Sequence, residues 1–174
     1  AHCPHLRWVS EKDKGQSDAM NKGLALARAP VVGFLNVDDY YEPNVFNKVM
    51  EIFKSLPEPS LVIGNSRIWQ IDGETYYMNR PKNLKLEDLL LGWEINPYPA
   101  NPSQYFYHKS LQSKVGLYRV EEHYIMDMFF LFSAIKKANV VYIDEIFGNF
   151  CLHNTSKSYF DFLNENNRDR KSVG

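Results

Sequence analysis

Three oxygen-bearing side chains, Asn36, Asp38 and Asp39, fall within four residues at the end of a short apolar run, Val31, Val32, Phe34 and Leu35. Adjacent carboxylates repel one another unless positive charge lies nearby. A hard divalent cation holding a phosphate would supply that charge. The alternative is a plain turn, since Asn and Asp commonly end strands and cap the next helix. A further carboxylate, Asp127, stands in YIMDMFFLFSAIKKA (124–138), where apolar residues cover nearly every helical face. A helix apolar all round is buried, and an unpaired buried carboxylate is expensive. Asp127 therefore has a partner, gains from a helix N-terminus, or faces a cleft as a general base. A third group is GQSDAMNKG (15–23), where a helix start offers free N–H groups to anions and puts Asp18 and Asn21 on one face. A capped surface helix is the bland reading of that stretch.

The elements that must position these groups can be read from periodicity. Leu6 to Ser10 reads as a short strand, and Ser17 or Asp18 as the N-cap of a helix through Ala27. Val31 to Leu35 is short, β-branched and bounded by polar residues, so it reads as a buried strand. Val45 to Leu56 carries one broad apolar stripe, including Phe46 and Met50, and is a core-facing helix. Leu61 to Gly64 is a buried strand continued by Ser66 to Ile71, and Asp72-Gly73 is a two-residue hairpin signal returning through Thr75 to Met78. Lys85 to Gly92 reads as a brief helix. The proline-rich segment 96–103 reads as a loop able to border a binding site ahead of Gln104 to Tyr107. Val140 to Ile143 is a last buried strand. Strand–helix alternation with a late hairpin gives an α/β fold with a mixed, mainly parallel central sheet flanked by helices. One domain over 1–160 is expected, followed by a polar tail at 161–174.

Composition narrows the function classes. The 174 residues are 44% hydrophobic, enough for one folded domain with a real core. A net charge of −1 leaves no electrostatic footprint for nucleic acid. Eleven Tyr, eleven Phe and three Trp exceed the needs of a core and suit a site for a polar, ring-shaped ligand. No apolar run is long enough to span a bilayer. Cys3 and Cys151 have neither disulfide-framework nor zinc spacing, and the His2-Cys3-Pro4-His5 cluster reads as incidental. A reducing, cytoplasmic setting is the expectation, with peripheral association at the inner face of the membrane left open.

Four blocks in order, SEKDKGQSDAMNKGLALA with VVGFLNVDDYYEP, NPSQYFYHKSLQSKVGLY, YIMDMFFLF and CLHNTSKS, resemble family 2 glycosyltransferases of the GT-A type. The resemblance covers roughly Leu6 to Tyr159. It implies a nucleotide-diphospho-sugar donor, a glycan or lipid-linked acceptor, and a divalent metal (Mn²⁺ or Mg²⁺) on Asp38 and Asp39. Gln16, Asp18, Asn21, Asn36 and Asp38 are the implied donor contacts, and Gln104 and Phe106 the acceptor contacts. Asp127 falls at the catalytic aspartate of inverting members, with Met126 where Glu is frequent, and His153 and Ser156 would close over the diphosphate. Family members begin with a βαβ unit that reads the nucleobase and is not seen here. The resemblance thus implies an N-terminally truncated domain, whether fragment or natural form, that alone binds UDP and Mn²⁺ weakly or not at all. A non-catalytic remnant that binds carbohydrate or a partner is the alternative.

Overall fold

The computed structural model of the chain describes residues 6–93, 95–122 and 125–155. The cluster at His2 to His5, Ser156 and the 161–174 tail lie outside the described residues. Six strands form one sheet: β1 (Val31–Gly33), β2 (Tyr40–Tyr41), β3 (Ser60–Trp69), β4 (Tyr76–Asn79), β5 (Tyr105–His108) and β6 (Asn139–Cys151). Their order is β1-β5-β3-β6-β2, with β4 beside the far end of β3. The α/β class and mixed sheet are as expected. The parallel share is not: β3 and β6 pair in parallel, while the other four pairings are antiparallel. The reason is β5, a strand hidden behind the proline-rich loop, which inserts antiparallel between β1 and β3.

Helices cover both faces of the sheet. Side chains alternate along a strand, so Leu61 and Ile63 of β3 face α1 (Gln16–Leu26) and α5 (Met126–Ile135), together with Tyr105 and Tyr107 of β5. Val62 and Phe106 face the opposite way, onto α2 (Val45–Phe53) and Phe147. The α2 stripe is narrower than its sequence suggests. Val45, Val49 and Phe53, one turn apart, are buried, whereas Phe46 and Met50 lie exposed. Short helices α3 (Leu86–Leu89) and α4 (Leu111–Val115) complete the set.

Three local expectations are corrected. Leu6 to Ser10 forms no strand. The N-cap of α1 is Gly15, at φ 115°, a backbone conformation that favours glycine, and no side chain caps the helix. The β3–β4 register is the one that Asp72-Gly73 signals, but the turn closes outside that pair, through Gly73 N–H to Gln70 C=O and Gln70 N–H to Thr75 C=O. β1, β3 and β6 run one way and β5 the other, and the turn that follows β1 is tied through Asp39 to Asn101, ahead of β5, and to Cys151 at the end of β6. Functional side chains collect there.

Candidate active site

The chain leaves β1 and turns at Asn36–Asp39, with Asp39 N–H donating to the Asn36 carbonyl at 3.2 Å. The turn sends the two neighbouring carboxylates in opposite directions. Asp39 points inward and is 7% exposed. Its Oδ2 accepts from Asn36 Nδ2 (2.9 Å) and Asn101 Nδ2 (2.8 Å), and its Oδ1 from the Cys151 backbone N–H (3.1 Å). Burial pushes its carboxyl above the ordinary value, and bonds from Asn101, Cys151 and Asn36 partly offset this. Asp39, expected as a metal ligand, is thus met by three protein donors.

Asp38 points outward. Its Oδ2 lies 2.7 Å from His153 Nε2, both side chains being partly exposed. A carboxylate only accepts, so Nε2 carries the proton in this contact. His153 Nδ1 meets the Thr155 hydroxyl at 2.8 Å. Once Nε2 gives up that proton, one carboxylate oxygen and one imidazole nitrogen, adjacent and partly exposed, would make a donor pair for a divalent ion whose remaining positions go to phosphate and water. No cluster of three ligating side chains occurs among the described residues.

Two helix starts converge on this turn. Gln16 Nε2 at the start of α1 donates to Asn36 Oδ1 (3.1 Å). The next residue, Ser17, is buried, its hydroxyl 2.7 Å from Met126 Sδ at the start of α5. The contacts therefore run without a gap from α5 through α1 to Asn36, Asp39 and Asn101. Asp127 sits in the first turn of α5. Its Oδ1 is withdrawn from solvent with no hydrogen-bond partner among the described residues, and burial pushes its carboxyl up to about 6. The hydroxyls of Tyr105 and Tyr118 are likewise buried and lie close to one another and to Asp127. Both phenols are raised well above their usual value, first by burial.

The remaining expected residues have other employment. Asp18 accepts from the Lys14 N–H (3.0 Å), which holds its carboxyl below the ordinary range, and pairs with Lys22. Asn21 clamps the backbone of Tyr118, donating to its carbonyl (2.8 Å) and accepting from its N–H (3.0 Å). Gln104 is fully buried, accepting from Ala100 N–H (2.7 Å) and donating to Asn79 Oδ1 (2.6 Å). Phe106 packs in the core against Tyr41 and Phe147. Both expected acceptor contacts are therefore buried, because β5 is an inner strand. Asn101 and Ser17 were missed. The signal for Asn101 was its place before Pro102, where its Oδ1 caps a 3₁₀ turn by accepting from Ser103 N–H (2.8 Å) while Nδ2 serves Asp39.

The profile of the family described as "Glycosyl transferase family 2" matches residues 4–120. The chain belongs to that family. An uncharacterised glycosyltransferase of Mycobacterium tuberculosis is 28% identical over 130 residues, covering 73% of this chain and 47% of its own length. Another, from a Nostoc species, is 32% identical over 50 residues, covering 29% of this chain and 16% of itself. In fold, the chain is similar to residues 1–349 of S. aureus TarS, with a TM-score of 0.63 at 16% identity over 82% of this chain and 42% of that one. The chain thus spans about half the length of the curated M. tuberculosis relative. No helix among the described residues is long and apolar enough to cross a membrane.

Proposed function

We propose that the protein carrying this chain transfers a sugar from a nucleotide-diphosphate donor to an acceptor hydroxyl by a single inverting displacement. Asp127 takes the proton of the acceptor hydroxyl, whose oxygen attacks the anomeric carbon opposite the departing nucleoside diphosphate. A carboxylate kept from hydrogen-bond donors and raised to about 6 is a stronger base than an ordinary one and is still ionised at neutral pH. Gln16, Asp18 and Asn36, around the start of α1, orient the donor. Asp38 and His153 would hold the divalent ion (Mn²⁺ or Mg²⁺), which when bound neutralises charge on the leaving diphosphate. Asp39, locked by Asn36, Asn101 and Cys151, positions Asp38.

The observation that carries this reading is the unbroken run of contacts from Met126 through Ser17 and Gln16 to Asn36 and Asp39. It ties the start of the Asp127 helix to the acidic turn. The test is Asp127→Asn in the intact protein. Turnover falls by about 10²–10⁴-fold, the usual worth of a general base, while calorimetric affinity for the nucleotide-sugar stays within twofold. Near-normal turnover in that variant removes Asp127 from the chemistry.

A further inference from the structure

A cleft of about 460 Å³ opens beside this site, between the β3–β4 hairpin and the proline-rich loop. Its floor is Ile68, Phe150 and Leu152, and its walls carry Tyr77, Trp93 and Tyr98. We propose that this cleft is the acceptor subsite and takes a neutral saccharide, its ring faces laid against these aromatic side chains. The proposal rests on the glycosyl-transfer reading above.

Chemistry selects the ligand class. The size is ordinary for a small-molecule site. None of the eleven lining residues carries a formal charge. The guanidinium beside them, Arg67 at 5.5 Å from the Tyr76 ring centre, is already paired with Glu42, so a phosphate or carboxylate would meet no free counter-charge from these residues. The lining is nonetheless amphipathic: aromatic faces are set beside phenol, indole and amide tips from Tyr76, Tyr77, Tyr98, Trp93 and Gln70. A pyranose has the same division, a C–H face and a rim of hydroxyls. An alkyl chain would use the faces and leave the polar tips idle.

Position ties the cleft to the reacting groups. Along the last residues from β6, Phe150 and Leu152 line the cleft, while Cys151 N–H binds Asp39 and His153 meets Asp38. Along the loop, Ala100 lines the cleft and the next residue, Asn101, binds Asp39. Two separate segments therefore pass from cleft to acidic turn in a single residue step, about 3.8 Å along the chain. The walls are held before any ligand arrives. Asp72 accepts from Glu74 N–H, Thr75 N–H and the Thr75 hydroxyl, fixing the hairpin tip, and Asn79 Nδ2 donates to the Tyr98 carbonyl at 3.0 Å. A preformed wall lowers the ordering cost of binding. It also supplies what Gln104 and Phe106 do not, an acceptor-facing surface.

The experiment is methyl-detected NMR on the intact protein, titrated with maltotriose, cellotriose, chitotriose and, separately, n-octanol. The methyl signals of Ile68, Ile71 and Leu152 are expected to move with at least one trisaccharide, and Trp93→Ala to weaken that binding about tenfold or more. The wild-type titration stands by itself if the variant does not fold. Silence towards all three trisaccharides, shifts with octanol alone, or an affinity in Trp93→Ala within twofold of wild type would overturn the proposal. Release of nucleoside diphosphate from donor sugars by the wild-type protein separates the two readings. Saccharide binding with no donor turnover would overturn the transfer reading and the acceptor assignment with it. Turnover without saccharide in the cleft would overturn the cleft assignment alone.

Discussion

Asp38 and Asp39 are neighbours in sequence with opposite surroundings, and substituting each by asparagine should separate their roles. Asp39 is 7% exposed and accepts three hydrogen bonds. In Asp39→Asn one oxygen becomes an NH₂ group. If it replaces Oδ1 it faces the Cys151 N–H; if it replaces Oδ2 it faces the amides of Asn36 and Asn101. Either way a charge-assisted bond is lost and a donor is set against a donor. Each such bond is worth about 1.5–3 kcal/mol, and part of the loss is recovered because burial already disfavours the charge. A net destabilisation of about 2–3 kcal/mol follows, which for a chain of this size lowers Tm by about 4–12 °C. Asp38 makes one partly exposed contact with His153, so Asp38→Asn should cost no more than about 1 kcal/mol. If the proposed ion binds there, Asp38→Asn should also abolish the rise in Tm expected on adding Mn²⁺ to the intact protein. Thermal melts followed by circular dichroism, with and without Mn²⁺, test both at once. An Asp39→Asn protein that melts like wild type yet loses its metal response would refute the inward, positioning role assigned to Asp39.

Three further outcomes follow from the geometry. Asp127 has a folded pKa of about 6 against an ordinary 3.8, so between those values the folded state keeps a proton the unfolded state has released. Wild-type stability therefore falls as pH rises from about 4 to 6, by on the order of 3 kcal/mol. Asp127→Asn should be the more stable protein in urea at pH 8, with the advantage gone at pH 4, and wild-type kcat/KM should rise through an acid limb near pH 6. Asn21→Leu breaks both bonds to Tyr118 and should cost about 2–4 kcal/mol by the same melts, with calorimetric nucleotide-sugar affinity little changed in the folded fraction. Gly148→Ala would place a Cβ 2.8 Å from the Ser103 backbone oxygen, forcing the 3₁₀ turn off β6. An overpacking cost of about 1–3 kcal/mol is expected, and an unchanged Tm would show that the turn yields freely.

The parts legible in sequence were those with a period. The stripe of α2 and the run of β3 follow from burial, whereas α5, apolar on nearly every face in sequence, buries only Met126, Phe130, Leu131 and Ala134; its start puts Asp127 in the first turn as its spacing requires. What could not be read was direction and partnership. Tyr105 to His108 is short and follows three prolines, and only its neighbours β1 and β3 make it a strand. Asn21 and Gln104 are polar residues of the kind that contact ligands, yet their partners lie 97 and 25 residues away in Tyr118 and Asn79. No local pattern reports bonds of that range. The acidic pair was visible as a pair, but which carboxylate turned inward depended on Asn101 and Cys151, both distant in sequence.

The contrast between Asp39 and Asp127 bears most directly on function. Both have raised carboxyls, with burial the leading cause, Asp39 being buried and Asp127 half-buried with its Oδ1 closed off from solvent. Around Asp39 the fold supplies two side-chain amides and a backbone N–H, the usual way a chain makes a buried carboxylate tolerable. Around Asp127 it supplies none to Oδ1, although the phenols of Tyr105 and Tyr118 lie nearby. A neutral residue at position 127 would spare the folded chain a cost on the order of 3 kcal/mol, and a single donor would reduce it, as Asn101 does for Asp39. An uncompensated carboxylate at the start of a helix, tied through Ser17 and Gln16 to the acidic turn, is what proton abstraction beside a diphosphate would require. A carboxylate serving structure alone would have been given the partners that Asp39 has.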